Sequence, residues 1–322
     1  MLPPLVAAAC ALAATAAMAV TEVRVMGFGG SSNWPLFIAQ EHGLFARNGL
    51  DVRLSTARDS TTQLTDLADG RIEVAMTAFD NVVAWDERHG SSVIVAFLGV
   101  NNGGRSNLIA APRVTKIPEL RGARLGVDAV ASGYALVLQE LLHREGVEPG
   151  DYVFMSVGGS RQRWEALRDG RVDATLLNAP YDAVAENAGY RRLASSSTLG
   201  SYQGSVGAAR RAWAEQNAAT VTAFIRAYVA AVDWLHDRAN KEAAIAILVK
   251  RLDGMRREEA ERSYQELVVE PGGFSPHAAF DREGARTVLD LRRTYGGTAR
   301  ASHDLTFYYD ASYYERATRA AQ

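Results

Sequence analysis

Four short segments of the chain combine side chains that can hydrogen-bond a small molecule with aromatic rings that can enclose it. They are Phe28–Trp34, Ala78–Asn81, Asp128–Tyr134 and Asn178–Tyr181. Each is predicted to follow a buried strand and to open a helix, where free backbone N–H groups favour anions and strong acceptors. Serine and asparagine supply directed hydrogen bonds at such a site, and the aromatic residues supply its walls. These residue types therefore favour the binding of a small solute.

The candidate ligand-binding residues come from these segments and from neighbouring strand ends. They are Phe28, Ser31, Ser32, Asn33, Trp34, Thr77, Phe79, Asp80, Asn81, Asn101, Ser132, Gly133, Tyr134, Asn178 and Tyr181. We expect Ser132 to cap its helix while the N–H groups of that loop face an acidic or acceptor group of the ligand. We also expect Trp34 and Tyr134 to pack against the ligand from opposite sides.

The charge of the ligand depends on a few residues near these segments. Asp80 stands at a predicted helix start, where a cap is the simpler interpretation than an ammonium ligand. Arg105 lies by the predicted lobe crossing and could face the cleft. For Arg161 and Arg163, which follow a Gly-Gly-Ser loop, solvated positions are the simpler prediction. On balance the sequence favours a small organic acid or a sulfonate.

Catalytic patterns are absent from the sequence. The six histidines form no HExxH motif or other metal-ligand spacing, and no Gly-x-Ser-x-Gly elbow or P-loop occurs. The only cysteine is Cys10, so removal of the N-terminal segment excludes a cysteine nucleophile and a thiolate metal site. The net charge of −2 gives no reason to expect a nucleic-acid partner. We therefore expect no enzyme activity, no cofactor and no metal site.

Two stretches about 100 residues apart are alike. LADGRIEVAMTAFDN, residues 67–81, is matched by LRDGRVDATLLNAPY, residues 167–181, and Arg24-Val25 is matched by Arg124-Leu125. The surrounding sequence alternates apolar strands and helices at the spacing of right-handed parallel crossovers. The chain thus predicts two α/β lobes: residues 20–107 with 205–322 form lobe 1, and residues 108–204 form lobe 2. The helices expected from Lys241, Glu258, Asp281 and Ser312 onward should brace lobe 1.

The first nineteen residues have the pattern of a secretory signal peptide. An apolar, alanine-rich run from Leu5 to Ala17 leads to Ala17-Met18-Ala19, a small-x-small cleavage pattern. The run is shorter than the roughly 20 residues that span a bilayer. Export with cleavage after Ala19 is the expectation, and no second apolar span is recognised.

Longer motifs give the chain a resemblance to a known family. They are WPLFIAQEHGLFARNGLDVRL, LADGRIEVAMTAFDN, LRGARLGVDAVASGYALVLQELL and GGSRQRWEALRDGRVDATLLNAPYDAVAENAGYRRL. With these motifs the chain resembles ABC-transporter periplasmic solute-binding proteins of the sulfonate, nitrate, taurine and thiamine-pyrimidine type, the SsuA/TauA and NMT1/THI5-like group. The resemblance covers about Glu22 to Asp237.

The resemblance implies a type II periplasmic binding protein, with two Rossmann-like lobes joined by two crossover strands. It implies a monomer in the periplasm that captures a small solute and delivers it to an ABC permease in the inner membrane. Two alternatives stay open. One is a pyrimidine-synthase-like enzyme of the THI5 type, although those relatives carry a cysteine-rich motif that is absent here. The other is a periplasmic adaptor that presents a ligand to a sensor.

Overall fold

The computed structural model describes residues 20–90, 92–103, 106–178, 181–296, 302 and 304–319. The expected signal peptide, residues 1–19, and Arg105 lie outside this part of the chain. Within these residues the chain forms ten strands and thirteen α-helices.

Ten strands form two five-stranded mixed sheets. Their bounds are β1 Thr21–Gly27, β2 Leu50–Thr56, β3 Val74–Ala78, β4 Ile94–Gly99, β5 Asn107–Ala110, β6 Arg124–Val127, β7 Val153–Ser156, β8 Ala174–Leu177, β9 Arg191–Ser195 and β10 Ser205–Arg210. The first sheet has the order β2-β1-β3-β10-β4 and the second the order β7-β6-β8-β5-β9. In each sheet three adjacent strands are parallel, and an antiparallel strand, β10 or β5, pairs with the third of them and with the last edge strand. We call the first sheet with its helices lobe 1 and the second lobe 2.

Helices cover both sheets. Their bounds are α1 Trp34–Glu41, α2 Leu44–Arg47, α3 Ser60–Ala68, α4 Phe79–His89, α5 Gly133–His143, α6 Ser160–Arg168, α7 Tyr181–Asn187, α8 Arg211–Gln216, α9 Ala218–His236, α10 Lys241–Arg251, α11 Arg257–Tyr264, α12 Arg282–Tyr295 and α13 Ala311–Arg319. Short 3₁₀ turns and one π-helical turn, Gln265–Val269, connect them. The α9 helix is long and apolar enough to cross a membrane by length and composition. Its apolar face, with Phe224, Ile225 and Tyr228, lies in the lobe 1 core, so it is a core helix here.

The sequence repeat is reproduced as a structural repeat. The backbone N–H of Arg24 donates to the Glu73 carboxylate over 2.7 Å, and its guanidinium donates to the Gly70 carbonyl over 3.0 Å. One hundred residues later, Arg124 makes the same two contacts, to Asp173 at 2.7 Å and to the Gly170 carbonyl at 2.9 Å. Gly70 and Gly170 both have positive φ, which glycine adopts without steric cost. The Asp-Gly-Arg turn thus anchors the central strand of each lobe to its neighbour.

Two segments, 100–106 and 196–204, carry the chain between the sheets. Near lobe 1 they bond to each other: the Gly204 N–H donates to the Asn101 carbonyl over 3.0 Å, and the Ser205 N–H to the Asn101 side chain over 2.9 Å. A Cβ on Gly204 would lie 2.1 Å from that side-chain oxygen, so the close pairing requires glycine. The two segments therefore form a paired connection at one side of the molecule.

The fold class is confirmed, and two expectations about elements need correction. The β9 strand was not expected, because its two arginines interrupt the apolar pattern. The α12 helix does not brace lobe 1 alone. Its residues Val288 and Leu289 pack in the lobe 1 core, whereas Leu291 packs in the lobe 2 core.

Candidate functional site

The candidate segments lie at the facing edges of the two sheets. In lobe 1 the carboxyl ends of β1, β2 and β3 lead into Phe28–Asn33, Ala57–Asp59 and α4. In lobe 2 the carboxyl ends of β6 and β7 lead into Asp128–Ser132 and Val157–Gly159, and β8 ends next to Asn178. Ligands of open α/β sheets bind beyond the carboxyl ends of strands, so this cleft is the candidate site.

The two lobes touch directly within this cleft. Burial raises the pKa of the Asp80 carboxyl in lobe 1, and the Gly133 N–H, which faces that carboxylate from the start of α5 in lobe 2, offsets a small part of the rise. A Cβ on Gly133 would lie 3.0 Å from both the Asp80 Cγ and the Tyr202 hydroxyl. Loops that the sequence assigns to opposite walls are thus in contact at Asp80 and Gly133.

The Asp80 carboxylate also belongs to a buried ion-pair group centred on Arg292. Arg292, on α12, donates to Asp80 over 2.7 Å and to Glu87 over 2.7 and 2.9 Å. Each of the three residues is at most 4% exposed. Burial raises the pKa of Asp80, while Arg292 opposes that shift. Asp80 is therefore an ion-pair partner, and the expectation of a helix cap is wrong: the N-cap of α4 is Ala78, without a side-chain cap.

Lobe 2 presents a row of hydroxyl, amide and aromatic groups. Ser132 caps α5 as expected, accepting from the Ala135 N–H over 3.3 Å, and donates to Asp128. Ser160 donates to the Asn178 side-chain oxygen. Tyr134, at the start of α5, is 39% exposed as a residue. The lobe 2 residues Ser132, Gly133, Tyr134 and Asn178 therefore lie together at this edge.

A buried guanidinium supports this row from below. Arg163 is 2% exposed and donates to the Leu176 carbonyl over 3.0 Å and to the Ser160 hydroxyl over 3.0 Å. Its Cζ lies 4.8 Å from the centroid of the Tyr134 ring. A solvated position for Arg163 is thus a wrong expectation, because strand and loop carbonyls take up its donors. Arg161 is solvated and pairs with Glu165 on its own helix.

Two aromatic candidates of lobe 1 are core residues. Trp34 is fully buried, its indole N–H donates to the Ala244 carbonyl over 3.0 Å, and its ring meets the edge of Tyr264. Phe79 is also fully buried and packs against Phe280 and Tyr308. The expectation that Trp34 forms a wall of the site is wrong, because α10 and α11 supply the surface against which its ring packs.

Three polar candidates hold the loops in shape. Asn33 binds the Phe28 carbonyl and does not cap α1 with its side chain. Thr77 is 1% exposed and accepts from the Asn81 side chain over 3.1 Å. Asn101 belongs to the paired connection between the lobes. Their hydrogen-bonding groups are directed into the protein, so they shape the edge of the cleft.

The remaining candidates have partly or fully exposed side chains. Phe28, Ser31, Asn81 and Tyr181 are half-buried and Ser32 is exposed. The Ser31 hydroxyl lies 3.1 Å from that of Ser263 on α11. These five positions keep surface that a solute could contact.

Sequence reasoning missed three groups that the fold brings to the cleft. Tyr202 lies on the second crossing segment beside Gly133 and Asp80. Arg292 comes from a helix about 200 residues further along than Asp80. Ser160 follows a glycine pair that indicates a loop, but its bond to Asn178 depends on the sheet register. None of these long-range contacts leaves a local signal.

Two cavities in the described part of the chain are lined by residues outside the candidate segments. One of about 260 Å³ is bordered by Lys241, Tyr264 and Gln265, and one of about 430 Å³ lies beside Gln40 and Arg251 on lobe 1. Within the same residues no group of three histidine, cysteine, aspartate or glutamate side chains could hold a metal ion. The cleft thus offers hydrogen bonds, a buried cation and aromatic surface.

This architecture is that of the periplasmic binding proteins. Residues 17–249 match the NMT1-like family, and the chain belongs to that family. No curated protein matches the chain.

Solved structures with little sequence identity share the fold. The nitrate-binding protein NrtA from Synechocystis PCC 6803 has a TM-score of 0.75 and 15% identity, over 94% of this chain and 89% of NrtA. The aliphatic sulphonate-binding protein SsuA from Escherichia coli has a TM-score of 0.72 and 19% identity, over 90% of this chain and 92% of SsuA. The desulfurization enzyme DszB has a TM-score of 0.67 and 13% identity, over 93% of this chain and all of DszB, 100%.

Proposed function

We propose that the protein is the periplasmic solute-binding component of an ABC importer. It captures a small organic solute between its two lobes and delivers it to a membrane permease. One observation carries the proposal: loops at equivalent strand ends of the two lobes face each other across a cleft, and two crossing segments join the lobes. Membership of the NMT1-like family and the fold shared with NrtA and SsuA support it.

The solute we propose is a sulfonate, a carboxylate or a related nitrogen or sulfur compound. On lobe 2 the Ser160 hydroxyl, the Asn178 amide and the Tyr134 ring lie around the buried Arg163 guanidinium. On lobe 1 the half-buried Phe28 and Ser31 and the exposed Ser32 border the cleft. The Asp128 carboxylate lies 3.9 Å from the Arg163 guanidinium and offsets part of its charge. The remaining positive charge attracts an anion because the low local dielectric strengthens the interaction.

A thermal-shift screen of the processed protein tests this function. Sulfonates, taurine, nitrate, carboxylates and pyrimidines are added singly, and a ligand of the folded state raises stability by about 2.7 kcal/mol at one hundred times its Kd. Mass spectrometry of each stabilising compound after incubation distinguishes binding from turnover. Chemical conversion of a hit would favour an enzyme, a function that DszB performs on the same fold. A screen in which no compound changes the melting temperature would contradict the proposed solute classes.

A further inference from the structure

The N-terminus of α5 is occupied by a carboxylate from the opposite lobe. The Ser132 hydroxyl takes the Ala135 N–H, and the Gly133 N–H faces the Asp80 carboxylate. A Cβ at position 133 would lie 3.0 Å from the Asp80 Cγ and 3.1 Å from its Cβ. Glycine at this position therefore allows the acid of lobe 1 to approach the helix terminus of lobe 2.

The Arg292 guanidinium holds Asp80 in this place and is itself fixed by two further partners. Arg292 donates to it over 2.7 Å, and Glu87 fixes the same guanidinium from the other side. Arg292 also approaches the Ala131 carbonyl of lobe 2 at 3.5 Å. With all three charged side chains buried, moving Asp80 away would leave a buried cation with a single partner and a helix terminus without an anion.

The α12 helix, which carries Arg292, packs directly against α5, which begins at Gly133. The α12 helix contributes Leu291 to the lobe 2 core, and its Tyr295 hydroxyl donates to Glu140 on α5 over 2.8 Å. Asp80, which lies on α4, is thus fixed against α5 and α12. There is not enough room at the α5 terminus for a second acid group, because even a methyl group on Gly133 would lie 3.0 Å from the Asp80 Cγ.

We propose that Asp80 is a specificity-determining residue that fills the anion-binding position of α5 from within the protein. The acid group of a solute is then excluded from this helix terminus and is received elsewhere in the cleft. The consequence for the solute rests on the proposed function, whereas the internal occupancy does not.

Rescue by a small anion tests the internal occupancy. Asp80→Ala removes the carboxylate and leaves the Gly133 N–H and one side of the Arg292 guanidinium free. We expect the melting temperature to fall by about 4 °C or more, since a buried ion pair is broken. Sodium formate should restore about 3 °C with saturation, because it fits the vacated space and binds only the folded state. Sodium chloride at equal ionic strength is the salt control.

Wild-type protein and Asp80→Asn are the matched controls. In both the space is filled, so formate should give no saturable rise beyond that of chloride. If Asp80→Ala is as stable as wild type, or if formate stabilises wild type with the same saturation curve, the proposal is wrong.

A measurement on the folded wild type covers the case in which Asp80→Ala does not fold. The Gly133 amide, at the first position of a helix, exchanges rapidly with solvent unless an acceptor protects it. In wild type we expect the Gly133 amide to exchange slowly, and in Asp80→Asn we expect its resonance to shift. Fast exchange in wild type would overturn the proposal. Neither measurement needs an identified solute, so a failed ligand screen and a failed occupancy test are distinguishable.

Discussion

At the scale of single residues, positions 63 and 163 show how one structural place serves two purposes. Gln63 donates to the Met26 and Met76 carbonyls over 2.8 and 3.1 Å and is fully buried. Arg163 occupies the equivalent place in lobe 2 and donates to the Leu176 carbonyl. A neutral amide suffices to brace the strands in lobe 1. The positive charge in lobe 2 therefore serves the loops above it, which include Ser160.

Arg163→Gln should separate these two purposes. The shorter amide can retain a strand contact, so we expect the variant to fold and to lose less stability than Arg163→Ala. Its affinity for an anionic ligand should fall about tenfold, which corresponds to about 1.4 kcal/mol. Calorimetric titration with a ligand from the screen measures the affinity, and denaturant unfolding measures the stability. Unchanged affinity in Arg163→Gln would remove Arg163 from the site.

Trp34 and Tyr134, the two aromatic residues expected on opposite walls, should respond differently to removal. Trp34→Ala creates a cavity in the lobe 1 core and leaves the Ala244 carbonyl without its donor, so we expect a loss of about 3–5 kcal/mol in unfolding free energy. Tyr134→Ala removes the ring of a residue that is 39% exposed. It should change stability little and weaken ligand binding by roughly ten- to one hundredfold. Equal losses of stability in both variants would contradict this difference.

At the scale of elements, the sequence predicts well what local patterns determine. Helices expected from Lys241, Glu258, Asp281 and Ser312 begin within one residue of those positions, because caps and apolar periodicity are local. The Asp-Gly-Arg turns were recognised for the same reason. The sequence does not predict the side on which Trp34 and Phe79 pack. Both residues follow strands, where residues of a ligand site are also found, and their packing partners come from the last third of the chain. That α12 packs against the cores of both lobes depends on tertiary contacts that no local pattern encodes.

The brace at the Asp-Gly-Arg turn of lobe 2 predicts a pH dependence. Burial acts to raise the pKa of Asp173, but the Arg124 N–H and the guanidinium groups of Arg124 and Arg113 outweigh it and leave the pKa lowered. A carboxyl with a lowered folded pKa stabilises the protein above the unfolded pKa, about 3.9, and this contribution is lost as pH falls through the folded value. We therefore expect Asp173→Asn to be less stable than wild type at pH 7, because the neutral amide loses the charge that Arg124 and Arg113 stabilise.

Denaturant unfolding at several values of pH checks this expectation. The difference between wild type and Asp173→Asn should be constant from neutral pH down to the unfolded pKa and should shrink at lower pH. A difference that stays the same below that pH would show that the Asp173 charge does not stabilise the fold.

At the scale of the whole molecule, export is the first property to test. Residues 1–19 match a signal peptide in sequence, and β1 begins directly afterwards, at Thr21. We expect mass spectrometry of the periplasmic fraction to find a chain that starts at or near Val20. A full-length protein in the cytoplasm would contradict the proposed location.

The second property to test is closure of the two lobes around a ligand. A solute that touches both lobes gains contacts as they approach, so it shifts the population towards a closed form. The lobes already meet at Asp80 and Gly133 and are joined by α12, so we expect closure to pivot about that side. The motion should be largest at the sheet edges formed by β2 and β7.

Spin labels at Arg53 and Val153 measure this motion. Both side chains are exposed, they occupy equivalent positions in the two lobes, and a chain processed after Ala19 has no other cysteine to label. We expect the ligand to shorten the distance between these labels. A second pair, at the exposed Arg88 on α4 and His143 on α5, lies on the two helices that meet at Asp80 and Gly133. Its distance should change little, because the ion-pair group holds that side together. If both pairs shorten equally, the lobes approach without a pivot. If neither changes while the ligand binds, the protein binds its solute without closing.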